Sequence, residues 1–95
     1  MRLVLSRQAR ADLAEIKRYY LAEGSPRAAA AMLAHLDEAI QRLLAGALHG
    51  REVRLLDGRP VQGWPVPPYR IYYERTASYT RIVRVYHQSR RPIER

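Results

Sequence analysis

The chain contains no cysteine, which excludes a disulfide framework and any zinc site built on thiolates. Its three histidines, His35, His49 and His87, are too scattered to make a ligand cluster at motif spacing, so neither metal nor cofactor is expected. A long apolar run is also missing. The opening segment MRLVLSRQARADL returns to charge after Leu3, Val4 and Leu5, too soon for the hydrophobic part of a secretory leader or for a membrane span. A cytoplasmic protein with no membrane partner is therefore expected. Negative charge is scarce: 9 acidic residues stand against 17 basic ones, for a formal net charge of +8. All but one of those basic residues are arginine, whose planar fork suits phosphate and carboxylate, although GC-rich coding produces the same bias. With 95 residues there is room for one domain, 1–95. A chain of that size buries only about 60 to 65% of its unfolded surface, which leaves a thin core.

What is present is well punctuated. Leu3 to Leu5 reads as a short strand, and Ser6 stands where an N-cap belongs, ahead of Ala9, Leu13, Ile16 and Tyr20 at helical spacing. The first helix is predicted from about Arg7 to Ala22, stopped by Gly24 at C′. Ser25 and Pro26 then supply the N-cap and first residue of a second helix. That helix carries Ala29, Met32, Leu33, Leu36, Ile40 and Leu43 on one face and fades at Gly46. Arg51 to Leu56 is a strand candidate ending at Asp57-Gly58, a two-residue hairpin signal, with Val61 to Trp64 as the return. Pro65, Pro67 and Pro68 should take the chain out of the sheet before Tyr69, because proline cannot donate a ladder hydrogen bond.

Two β-rich runs close the chain, Tyr69 to Arg75 and Tyr79 to His87, separated by the small polar break Thr76, Ala77 and Ser78. Strict alternation would put Arg70, Tyr72 and Glu74 on one face of the first run. On the second run it would group Ile82, Arg84 and Tyr86, with Arg81, Val83, Val85 and His87 opposite them. The segregation of helices from strands points to an α+β fold, a mainly antiparallel sheet of about four strands with an N-terminal helical hairpin on one face.

The order of these elements, with ADL and Ile16 in the first helix, YRIYY from Tyr69, and IVRVYH ending at His87, resembles the RelE/ParE superfamily of bacterial toxins from type II toxin-antitoxin modules. The resemblance covers nearly the whole chain. It implies a small RelE/ParE-like fold and an acidic antitoxin encoded beside it that wraps the basic toxin into a hetero-oligomer. The superfamily divides in function. ParE-like members inhibit DNA gyrase by protein contact, whereas RelE-like members cleave mRNA on the ribosome without a metal.

For the RelE-like alternative, the resemblance implies Arg70 on the scissile phosphate, Arg84 or Arg90 in support and His87 as acid or base. The tail from His87 to Arg95 lacks the tyrosine often found in such enzymes and has Gln88 where an arginine is common, a closer likeness to the ParE branch. Partner contact is assigned to Tyr19, Tyr20, Arg70, Arg84, Arg90 and Arg91. Bland readings stand beside these. Arg70 and Arg84 suit cross-strand pairs with Glu74 or Glu52, His87 suits a backbone hydrogen bond, Arg90 and Arg91 suit a loose basic tail, and strand tyrosines usually pack at the rim of a core. A plain nucleic-acid-binding module without toxicity is a further alternative.

Overall fold

The structure, a computed structural model, describes residues 2–95. Seven elements follow one another: β1 (Arg2–Leu5), α1 (Arg7–Ala22), α2 (Pro26–Leu44), β2 (Arg51–Arg54), β3 (Pro60–Val66), β4 (Tyr69–Arg75) and β5 (Tyr79–His87). Local chemistry sets the helix limits. Ser6 and Ser25 each accept a backbone N–H three residues on, at 2.9 and 3.2 Å, satisfying donors that the first turns leave open. At the end of α1, Gly24 adopts φ 78° while its N–H and that of Ser25 reach back to Leu21 and Tyr20, a closure that only glycine makes without strain. The same closure recurs at Gly46 after α2, where Arg75 adds a hydrogen bond from its guanidinium to the Leu43 carbonyl.

The sheet has five strands in the order β1-β5-β4-β3-β2. Every pairing is antiparallel except that of β1 with β5, which is parallel and sets Arg2 opposite Tyr79. The strand count is thus one above expectation, because β1 joins the sheet at its edge. The helical hairpin covers one face. Ile16, Leu36, Ile40 and Leu43 pack there against Tyr69, Ile71, Tyr73, Ile82 and Val85 in the main core. On the opposite face a smaller cluster joins Leu55, Val61, Tyr72 and Val83, with Val53, Tyr86 and Ile93 at its margin.

Three expectations change. The chain stays in the sheet beyond Trp64, with Pro65 opposite Arg70 and Val66 opposite Tyr69. The proline is tolerated because β2 pairs only with Pro60 to Gly63, so the far end of β3 has an open side. The Asp57-Gly58 turn takes three residues, Leu56 to Gly58, between the Leu55 N–H and the Arg59 carbonyl, with Gly58 at φ 88°. Strict alternation in β5 also fails. Tyr72 pairs with Arg84 but Tyr73 pairs with Ile82, so Val83 is an inserted bulge residue. Ile82 consequently faces the helices with Val85, and Val83 joins Tyr72 on the other side.

Candidate functional site

β1 ends opposite Ile82, so the outer edge of β5 is uncovered from Val83 onward. The start of α1 closes it. Ser6 Oγ donates to the Val83 carbonyl at 2.7 Å, and Asp12, six residues further along, accepts the Val85 N–H at 2.9 Å. The same carboxylate takes both arms of Arg84, Nε at 2.8 Å and a terminal nitrogen at 2.9 Å. A bidentate pair this well shielded is strong, and the hydrogen bonds to Asp12 hold the Arg84 guanidinium even further above its usual range. Arg84 also lies over the Tyr86 ring at 5.1 Å. Its expected partners, Glu74 and Glu52, are elsewhere: Glu74 pairs with Arg59 at 2.6 Å. The Arg84 fork is engaged inside the fold.

Beyond this lock, α1 and the end of β5 border a cleft of about 360 Å³, walled by Ile16, Tyr19, Tyr69, Val85, His87 and Arg90. Asp12 and Glu15 supply its acidic rim. The His87 ring stands edge-on to Tyr69 at 5.1 Å. Its Nδ1 receives the Ser89 N–H at 3.1 Å and lies 2.7 Å from Ser89 Oγ. An amide can only donate, so Nδ1 is the acceptor and the proton of the neutral ring sits on Nε2. Burial and then a bond to the Tyr20 hydroxyl push the Tyr69 phenol up to about 12. Tyr19, in turn, packs edge-on against Tyr20 at 5.2 Å yet is 55% exposed, and with Leu21 it leaves apolar surface on α1 uncovered.

Arg70 belongs to the other face, since it pairs with Tyr86 while its neighbour Tyr69 pairs with His87. Its side chain runs over Gly63 and reaches to 3.9 Å from Glu94. Around it lies a second groove of about 310 Å³, bordered by Tyr72, Tyr86, His87, Arg90 and the tail residues Pro92 to Glu94. The Tyr72 hydroxyl donates to Glu94 at 2.6 Å; burial first, then this bond, raises its pKa. The tail is tied down rather than loose, because the Arg91 carbonyl accepts the Tyr86 hydroxyl at 2.6 Å.

Residues 3–92 match the family model of the ParE toxin of the type II toxin-antitoxin system parDE. The chain belongs to the ParE toxin family. A solved chain of the chromosomal ParDE TA system from P. aeruginosa has the same fold, with a TM-score of 0.75 and 22% identity over 92% of this chain and 95% of that one. No curated protein matches.

On this ParE fold, the sequence-derived candidates divide among three places. Arg84 lies in the Asp12 lock; Tyr19 and His87 line the α1 cleft, with Tyr20 packed behind it against the main core; Arg70 lies in the second groove. Arg90 borders both openings, as His87 does at the strand end, and Arg91 contributes its carbonyl to Tyr86. Asp12 and Glu94 escape sequence reasoning as site residues, and Tyr72 reads there as a strand tyrosine packed at the rim of a core. In the sequence Asp12 belongs only to a helix motif, and nothing local ties it to Arg84, 72 positions away. Among the described residues no His, Asp and Glu group could hold a metal, and no helix is long and apolar enough to cross a membrane.

Proposed function

We propose that this ParE-family chain inhibits DNA gyrase by protein contact and is held inactive by a cognate antitoxin encoded next to it. The observation that carries the reading is that the groups an RNA-cleaving site would need are engaged within the fold. Arg84 spends its fork on Asp12, and although Arg70, His87 and Arg90 border one groove, Nδ1 of His87 is committed to Ser89 and Arg70 stands beside Glu94, the acidic residue that occupies that groove. Phosphoryl chemistry requires such groups to be free to converge on one bond. Binding requires only surface. The exposed Tyr19 at the α1 cleft supplies an apolar anchor for a partner helix, and the net charge of +8 favours an acidic one.

Purified protein should block supercoiling by gyrase and leave translating ribosomes with uncut message, with activity restored by the product of an adjacent small acidic reading frame. Unaffected supercoiling together with codon-positioned cuts in mRNA would overturn the proposal. One observation favours that second reading, an mRNA interferase: Arg70, His87 and Arg90 border one groove. Under it, Arg70→Ala abolishes cleavage while antitoxin binding is kept; under the gyrase reading there is no cleavage to lose.

A further inference from the structure

The sheet face turned away from the helices is closed by the chain's own C-terminal end, in the manner of a bound peptide. The Leu56 N–H donates to the Ile93 carbonyl and the Arg95 N–H to the Arg54 carbonyl, both at 2.8 Å, and Leu55 bridges Glu94 in antiparallel fashion. These bonds run along the outer edge of β2, which no strand of the sheet covers. Ile93 packs at the margin of the cluster formed by Leu55, Val61, Tyr72 and Val83. Glu94 alone brings negative charge to a groove that also holds Arg70 and Arg90, taking the Tyr72 hydroxyl at 2.6 Å but standing 3.9 Å from Arg70.

We propose that this edge and groove form a binding site for an extended peptide segment of a partner protein, one in which an apolar residue precedes an acidic one, and that residues 92–95 are its resident, displaceable occupant. Main-chain pairing to Arg54 and Leu56 supplies affinity whatever the sequence, the apolar cluster selects the Ile93-like residue, and Arg70 with Tyr72 selects the carboxylate. A nucleic acid matches the arginines but offers neither a main-chain partner for the strand edge nor an aliphatic group for the cluster. The tethered tail competes with any partner peptide, so the apparent affinity of the intact chain falls by the fraction of time the site is occupied. The inference goes beyond the gyrase reading and needs neither gyrase nor antitoxin for its test.

The test titrates the full chain and its Glu94→Gln variant with a synthetic peptide of residues 88–95, followed by NMR. Expected are saturable shifts at Leu56 and Tyr72, binding roughly tenfold tighter to the variant because its own tail competes less well, and faster amide exchange at Arg95 with Leu56 still protected. A peptide carrying glutamine in place of the glutamate should bind more weakly, and Arg70→Gln in the chain should erase the difference between the two peptides. Equal affinity for both chains, or no saturable binding, overturns the proposal. So do concentration-dependent dimers without peptide, which would make a second copy the occupant, or a single-stranded oligonucleotide whose binding Glu94→Gln strengthens when that of the peptide does not change.

Discussion

One face of the sheet lies beneath helices of 16 and 19 residues, whose buried side chains interlock with those of β4 and β5. The other is closed by the last few residues of the chain, held by two backbone bonds, two tyrosine hydroxyls and one distant ion pair. Both faces bury apolar side chains, yet the means differ in kind. The helix side depends on a continuous packed core, whose removal unfolds the molecule; the tail side depends on a handful of polar contacts, whose removal uncovers a surface. A ParE-type chain of this size thus keeps most of its packed core on one side and a segment held by few contacts on the other.

Matched truncations give the largest effect and the most direct way to break this contrast. Leu36→Ala, at a fully buried position of α2, should cost about 4 kcal/mol, and Leu55→Ala on the tail face about 2 kcal/mol. Denaturant unfolding measures both, and equal losses would mean that the faces are equally structural. Asp12→Ala comes next, at about 2–3 kcal/mol, because it strands the Arg84 guanidinium and the Val85 N–H at the strand edge. A double-mutant cycle with Arg84→Ala should show strong coupling; additive losses would remove Asp12 from its role as an edge lock.

A smaller effect is expected from Tyr72→Phe, which removes the hydroxyl on Glu94 and should cost about 1 kcal/mol. Its signature is local: the Leu56 amide should exchange faster while amides of α2 stay protected, and uniform acceleration would contradict a separable tail. The mildest perturbation is alkaline pH. Burial raises Tyr69 from 10.0 to about 12 and raises Tyr72 as well, so their contribution is intact below pH 10, where both folded and unfolded forms are protonated. It is lost as pH climbs from 10 through the folded values, since the unfolded chain ionises first. Tyr69→Phe should flatten the slope of stability between pH 10 and 12; an unchanged slope would mean that the phenol titrates normally.

The readable parts of this molecule were those set by neighbours in sequence. Both helices begin at Ser6 and Ser25 and end before Gly24 and Gly46, because caps and left-handed closures are chosen by adjacent residues. Hidden were the features that depend on what a residue meets after folding. Pro65 stays in a strand only because β2 stops short beside it. The Val83 bulge reassigns Ile82 to the helix face, which alternation cannot foresee. The site was harder still to read, since Arg84 looked like a surface cation until Asp12 arrived from the other end of the chain, and the tail's seat on Arg54 and Leu56 leaves no mark in its own composition.

The pairing of the first strand with the last has a consequence for how the protein comes into being. As the chain leaves the ribosome, Arg2 to Leu5 waits for Tyr79 to Ile82, the last strand to be made, and closure must await that long loop. Until β5 appears, Asp12 has no edge to hold, the α1 cleft lacks a wall, and the groove of Arg70 has no Tyr86 opposite it. A product cut short before β5 therefore carries none of these surfaces. Synthesis of this chain is all or nothing: whatever stops short of β5 is a fragment with no site to present.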